Sequence, residues 1–242
     1  MQFQDKIVLI TGANRGIGKA LVKACLAKEV KKVYATSRNI GNLPSFDDPR
    51  VVSIQLDVAD KDQIKAAAQK CQDTQILINN AGTLNPGSVF LGEVDGFRKD
   101  MEVNFFSVIE MMRAFAPVLS DNEEPRIVNI ASIASYVNFP FIAGYSASKA
   151  ALYSISQAAR IELSAKNIPV HIVNPGAIDT DMNKGSTMQM TPPDEVAKNI
   201  IEMVEREIED IVPDRIGKDM FATWQKSPRD LEELAGKIYF GE

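Results

Sequence analysis

Residues 6–18 read Lys6-Ile7-Val8-Leu9-Ile10-Thr11-Gly12-Ala13-Asn14-Arg15-Gly16-Ile17-Gly18. The first five form an apolar, β-rich run with no polar alternation, the pattern of a strand buried on both faces. The run breaks at Thr11-Gly12, and a helical pattern starts at Gly16 and continues to about Lys28. Between them the glycines are spaced G-x-x-x-G-x-G. Glycine lets the backbone turn tightly and come close to a pyrophosphate, whose charge then sits at the N-terminus of the following helix. A tight turn without a ligand would also use glycine. This one follows the first strand and opens a helix, the context that phosphate binding requires.

The alternation continues along the chain. Strands are expected at Lys32–Thr36, Val51–Leu56, Gln75–Asn79, Pro125–Ala131 and Pro169–Asn174, with helices over Asp60–Cys71, Phe97–Leu119 and Gly144–Ala165. Strands that alternate with helices and are apolar throughout predict an α/β fold, a doubly wound parallel β-sheet flanked by helices. No repeat or long linker divides residues 1–242, so one domain is expected. A further helix opens near Thr191-Pro192-Pro193-Asp194-Glu195, with Thr191 or Asp194 as its cap. Asp210–Pro213 reads as a short edge strand. Residues 214–242 carry a weak pattern anchored by Met220, Phe221 and Trp224.

Composition narrows the function classes. The chain has 242 residues, 45% hydrophobic and 24% charged, with a net charge of −5. An acidic balance offers no field for nucleic acid. The apolar runs read as too short for a membrane span, and the polar start Met1–Lys6 does not fit a signal peptide. Cys25 and Cys71 read as buried reduced thiols of a cytoplasmic protein. One histidine, His171, lies inside a strand and reads as structural, and no metal-ligand set can be written.

Charges after the second strand bear on cofactor choice. An NAD site places an acid there for the ribose 2′-hydroxyl. Here the strand ends Thr36-Ser37-Arg38. The Arg38 guanidinium suits a 2′-phosphate, and Arg15 is placed to approach the same group, so NADP(H) is favoured. Asp57, after the third strand, is a candidate for the adenine amino group, or else a helix-cap neighbour. Tyr145 and Lys149 stand four residues apart and share a helix face. A lysine ammonium near a phenol stabilises the phenolate, and a tyrosine so tuned can give or take a proton.

Together these features resemble the short-chain dehydrogenase/reductase family. Thr11-Gly12-x-x-x-Gly16-Ile17-Gly18, with Asn14 and Arg15, is similar to its cofactor loop. Asp57-Val58 resembles its adenine-site pair, and Asn79-Asn80-Ala81-Gly82 its motif after the fourth strand. Asn104, Ser132, Tyr145 and Lys149 match its catalytic set, with Ser132 lying 13 residues before Tyr145. Pro175-Gly176, Ile178 and Thr180 match the turn that holds the nicotinamide end. The resemblance covers Lys6 to about Val212 and implies a Rossmann-type fold. The family's glycine-rich C-terminal strand is not recognisable, which leaves dimer, tetramer and monomer open.

The resemblance implies reduction of a ketone or aldehyde. Tyr145 would donate the proton, Lys149 would lower the tyrosine pKa and hold the nicotinamide ribose, and Ser132 would polarise the carbonyl. Asn104 would hold a relay water. Ser135 is a nearby decoy, and Asn104 is alternatively a helix-interior residue with a local bond. Enoyl reductases of the wider family space tyrosine and lysine further apart. Substrate-lining segments are expected at Ile133–Phe141, Leu84–Val89 and Ile178–Met190, the last within a substrate loop around 177–193. Ser132, Ala134, Tyr136, Phe139, Tyr145 and Met182 are the leading pocket residues, with Val137, Phe141, Met188 and Met190 beside them. They imply a small hydrophobic carbonyl or alcohol substrate. The rival reading is a redox-sensing regulator that binds NADP(H) with little or no turnover; the complete Ser-Tyr-Lys set argues against it.

Overall fold

β1 (Ile7–Ile10) is buried along its whole length and lies inside a seven-stranded sheet of order β3-β2-β1-β4-β5-β6-β7 in which every pair is parallel. The computed structural model describes residues 1–184 and 189–241, so the pocket expectation for Met188 lies outside the described residues. β2 (Lys32–Ser37), β3 (Val51–Gln55), β4 (Ile76–Asn79), β5 (Arg126–Ile130), β6 (Val170–Val173) and β7 (Asp210–Ile211) fall where the apolar runs predict them. β4, β5 and β6 are buried at every residue because helices cover both faces.

One face packs on α1 (Gly16–Ala27) and α6 (Pro193–Glu205), with Leu21, Val22, Ile200, Ile201 and Val204 against Val8, Ile10 and Ile78. The other packs on α2 (Lys61–Lys70), α4 (Ser107–Ser120) and α5 (Ala143–Ser164), where Met111, Phe115, Leu119 and Leu152 meet Leu9, Leu77 and Ile127. Each large apolar side chain so buried contributes about 1.5–3 kcal/mol. α2 starts where its sequence says, with Asp60 accepting from the amides of Asp62 and Gln63. α6 departs from expectation. Pro192 holds its cap position without a side-chain bond, and Asp194 and Glu195 sit in the first turn as charges facing the helix dipole.

The long middle helix begins earlier than its periodicity suggests. It runs as α3 (Val94–Met101), a π-turn (Glu102–Phe106) and then α4. By length and hydropathy alone the run Val94–Ser120 is sufficient to cross a membrane, contrary to the sequence expectation. In this fold it lies on the sheet with Val108, Met111, Met112, Phe115 and Leu119 buried.

The weakly patterned tail forms two helices, α7 (Arg215–Lys226) and α8 (Pro228–Phe240), started by the side-chain caps Asp214 and Ser227. They build a third apolar cluster around Met220, Leu231 and Ala235. Trp224 stacks on Tyr136 with ring centroids 4.8 Å apart, and Phe221 lies 5.2 Å from the same ring. His171 is buried with Nδ1 2.7 Å from the Ile208 carbonyl, in keeping with a structural role. Cys25 and Cys71 are free and buried, and loss of solvation pushes both thiols above their ordinary pKa, Cys71 to about 11.

Asp214 joins this tail to the sheet. One carboxylate oxygen accepts from the Gly217 amide at 2.8 Å and the other from the Gly176 amide at 2.7 Å, with the residue 2% exposed. Asp214→Ala leaves two buried N–H groups unmatched, and urea denaturation should show a loss of about 2 kcal/mol. Asp214→Asn, which keeps one acceptor, should lose less. An unchanged midpoint for the alanine variant would contradict the assignment.

Candidate active site

At the carboxyl ends of β1 and β4 the strand order reverses, and the chain leaves the sheet on opposite sides. Thr11 and Asn80 close this seam. The Thr11 hydroxyl accepts from the amides of Asn80 and Ala81, both at 2.9 Å. Asn80 Nδ2 donates to the carbonyls of Thr11 at 2.8 Å and Gly12 at 3.1 Å. Gly12 sits at φ +65° with the Ala81 backbone where its side chain would be, a contact of 2.9 Å for an added Cβ. At Gly18 an added Cβ would lie 2.2 Å from the Gly12 carbonyl oxygen. Glycine is therefore imposed at Gly12 by its positive φ and the Ala81 backbone, and at Gly18 by the close approach of α1 to the loop.

The loop opens onto a cavity of about 910 Å³. Every residue expected at the cofactor lines it: Gly12, Asn14, Arg15, Gly16, Ile17 and Gly18 from the first loop, Ser37 and Arg38 after β2, and Asp57 and Val58 after β3. Asn80, Ala81 and Gly82 follow β4, Tyr145 and Lys149 come from α5, and Pro175, Gly176, Ile178 and Thr180 follow β6. α1 begins at Arg15 with no side-chain cap and no acid in its first turn. Its dipole and first amides thus remain available to an anion, and the cavity fits a dinucleotide. Arg38 is exposed at the rim. Arg15 also lines the cavity, with its guanidinium paired to Asp181 at 3.4 Å. Both partners are exposed, so this pair is weak. Asp57 gives one carboxylate oxygen to the Ala59 amide at 3.0 Å, combining the cap-like geometry with a place in the cavity wall.

The chemistry-bearing side chains meet at the other end. Ser132 lies where β5 ends, and its Oγ accepts from the Ala134 amide at 3.1 Å, which leaves the hydroxyl proton free to be donated elsewhere. Ser135 instead donates to the Lys149 carbonyl at 3.0 Å and lies outside the cavity lining, which separates it from Ser132. Lys149 is buried, and its ammonium donates to the Ile130 carbonyl at 2.8 Å while lying 5.6 Å from the Tyr145 ring centroid. Burial pulls the lysine down to about 8, and the carboxylate of Asp100 opposes that fall. The Tyr145 phenol is pushed up to about 12 by burial, against a hydrogen bond from Ser132 that lowers it. Burial thus outweighs any lowering of the Tyr145 pKa by Lys149, whose ammonium donates to a backbone carbonyl.

Asn104 sits in the π-turn, fully buried. Its Oδ1 accepts from the Thr83 amide at 2.9 Å, and its Nδ2 donates to the Thr83 carbonyl at 2.8 Å and to Ser148 Oγ at 2.9 Å. It does not line the cavity. Its amide is spent joining the β4 loop to α5, so its side chain serves the site as a brace.

Among the expected pocket residues, Ser132, Tyr145 and Met182 line the cavity, and Ala134, Tyr136 and Phe139 do not. Ala134 and Phe139 are buried in the cluster formed with α7 and α8, against which both Tyr136 and Tyr145 pack. They back the reactive tyrosine instead of facing substrate. Asn85, from the expected segment Leu84–Val89, lines the cavity, whereas the sequence reading missed Lys99 and Val103 in the lining and Asp100 behind it. The spacing of Asp100, Asn104 and Ser107 along one helix was the available signal, a polar stripe inside an apolar stretch.

Comparison with known proteins agrees with this geometry. The chain matches the short chain dehydrogenase family over residues 6–191 and belongs to it. As a member it is an oxidoreductase that uses a nicotinamide cofactor. A crystal structure of a short chain dehydrogenase from Burkholderia cenocepacia J2315 in complex with NADP superposes with a TM-score of 0.91 and 32% identity, covering 96% of this chain and 97% of that one. The NADPH-dependent 1-acyldihydroxyacetone phosphate reductase of Schizosaccharomyces pombe is 34% identical over 77% of this chain and 64% of its own length. The 3-ketodihydrosphingosine reductase of Bacteroides thetaiotaomicron is 34% identical over 76% of this chain and 66% of its own length. The chain thus spans about two thirds of each of these two curated relatives.

Gly18→Ala should lower affinity for NADP⁺ and NAD⁺ alike by at least about tenfold, since the methyl group must displace the Gly12 carbonyl. Isothermal titration calorimetry reads this directly, and unchanged affinity would refute the close-approach argument.

Proposed function

We propose that this protein is an NADPH-dependent reductase that converts a hydrophobic ketone or aldehyde to the alcohol, reversibly. The observation that carries the reading is that Ser132, Tyr145 and Lys149 share one cavity wall with a dinucleotide-sized cleft ending at Arg38. Bound there, a reduced nicotinamide supplies hydride. Tyr145 holds the proton destined for the carbonyl oxygen, and its raised pKa keeps that proton in place at neutral pH. Ser132, with its Oγ already accepting from Ala134, has a hydroxyl proton for the same oxygen and stabilises the charge that develops there. Lys149 supplies a positive field beside the phenol and a donor for the cofactor ribose. Arg38, with no acid nearby at the end of β2, favours a 2′-phosphate. Two similar proteins named above are reductases of keto compounds, in keeping with a ketone as substrate. The loop around 177–193, which carries Met182 at the cavity edge, is assigned to the substrate side.

Purified protein should oxidise NADPH when offered a panel of hydrophobic ketones and aldehydes. Tyr145→Phe should reduce turnover by about a thousandfold or more while leaving NADPH affinity within about threefold. Near-normal turnover in that variant would sink the proposal, as would tight NADPH binding with no turnover on any substrate. Arg38→Asp should shift the kcat/KM preference toward NADH, and an enzyme that already prefers NADH would refute the charge argument.

The pH dependence has a definite sign. Lys149 is a base whose pKa is depressed to about 8, so its positive charge is present below that pH and lost above it. The kcat/KM for reduction should therefore fall as pH rises through about 8, and a flat profile to pH 10 or so would exclude a charged Lys149 as a requirement.

A further inference from the structure

Between β4 and α3 the chain makes a turn that presents an apolar run to solvent. Val89, Phe90 and Leu91 follow one another at its tip. Phe90 and Leu91, 95% and 88% exposed, are the two most exposed large apolar side chains among the described residues. Val94 and Phe141 are exposed as well. The turn is braced from within: the Gly92 amide donates to the Ser88 carbonyl at 2.7 Å, and the Leu91 amide to Ser88 Oγ at 3.2 Å. At its base the Gly87 amide donates to the Phe141 carbonyl at 2.9 Å, and the Gly87 carbonyl accepts from the Ala143 amide at 3.0 Å. The Phe97 ring fills the space beside Gly87, Gly92 and Gly144, leaving no room for a Cβ at Gly92 or Gly144. This stem joins the reactive end of the cavity. Asn85, two residues before Gly87, lines it, and Ala143 opens α5, which carries Tyr145.

We propose that the turn 88–92 inserts into the surface of a neutral lipid bilayer and sets the cavity mouth against it, so that an apolar carbonyl substrate enters from the lipid phase. The substrate half of this inference rests on the reductase reading given above; the lipid contact does not. Apolar side chains scattered singly over a surface are ordinary, whereas a consecutive exposed run marks a contact surface. Shape and area select the partner. A stable protein interface needs a complementary surface and about 800 Å² from each side. Three side chains on a projecting tip with two part-exposed neighbours, at roughly 150–250 Å² for a whole aromatic side chain, fall short of that. Fluid hydrocarbon requires no matching shape, and shallow insertion draws its strength from the apolar area buried. Charge selects the lipid. Residues 84–97 contain no lysine or arginine and carry two acids, Glu93 and Asp95. Of the next two cations, Arg98 pairs with Asp95 at 2.7 Å and Lys99 belongs to the cavity lining. Attraction to an anionic leaflet needs clustered cations, so this face suits a neutral one.

The test uses the full chain and vesicles of phosphatidylcholine, alone or mixed with phosphatidylserine, with co-sedimentation as the readout. The wild type should partition onto phosphatidylcholine, and phosphatidylserine should not strengthen it. The double variant Phe90→Ser/Leu91→Ser, whose altered side chains leave the packed core untouched, should partition about tenfold more weakly or less still, with an unchanged thermal melt. Phe240→Ser, at the exposed end of α8, should bind as the wild type does. No binding by the wild type overturns the proposal, and so does an equal loss in Phe240→Ser. Analytical ultracentrifugation covers the rival occupant: self-association abolished in the double variant, with no vesicle binding, would give the turn to a second copy and overturn the proposal. NADPH oxidation then tests entry from lipid. The kcat/KM for a short ketone in water should be the same in wild type and double variant, while turnover of a longer homologue carried in the vesicles should fall about tenfold in the variant. Equal rates on the vesicle-borne ketone overturn the entry role. Turnover retained in Tyr145→Phe strikes the reductase reading and the substrate half with it. A wild type that reduces ketones yet leaves phosphatidylcholine unbound strikes this inference alone.

Discussion

The side chains of Thr11 and Asn80 tie β1 to β4 at the point where the sheet changes direction. Four hydrogen bonds between 2.8 and 3.1 Å satisfy backbone groups that neither strand ladder can reach. In a parallel sheet covered by helices those groups are shut off from bulk water, and leaving them unmatched would cost about 1–3 kcal/mol each. The seam also fixes where the Gly12 carbonyl points, and hence how near α1 may come. The position of the helix N-terminus, the opening of the cleft and the path of residues 80–85 toward Lys149 all follow from it. Cofactor half and reactive half are thus aligned from one place, by side chains that themselves face no substrate.

Electrostatics at the reactive end are governed by burial more than by pairing. Lack of water drives Tyr145 up and Lys149 down, so both are moved toward their uncharged forms. The consequence for the phenol is opposite to the usual argument from an adjacent ammonium. The tyrosine keeps its proton at neutral pH, and the same shift makes it a weaker acid. The lysine is left near its titration point.

Much of this was legible in the amino-acid sequence. Continuous apolar runs gave the strands, since full burial erases alternation, and glycine spacing gave the turn, since backbone contact excludes every larger residue. The order of Ser132, Tyr145 and Lys149 gave the reactive set. What escaped depends on contacts between distant segments. α7 and α8 have few apolar anchors, and their burial comes from packing on the turn after β5. Tyr136 and Phe139 read as pocket residues because they lie near Ser132 in the chain, yet their rings serve that same packing. Arg15 turns to Asp181 across the mouth, a pairing 166 residues apart that no local pattern encodes. Asn104 was found by its place in a motif, while its role as a brace needed the partners at Thr83 and Ser148.

The π-turn at Glu102–Phe106 has a bearing on how the long middle helix is used. A widened turn takes in one residue more than a regular one, which rotates everything beyond it by about 100° around the axis. The segment before it grips Asn85 of the cavity wall through Asp100, and the segment after it faces the sheet with Met111 and Phe115. One continuous rod is in effect split into two cams set at different angles on a common shaft. The outer cam therefore meets Asn85 and the inner one the sheet, each from its own angle on the one axis.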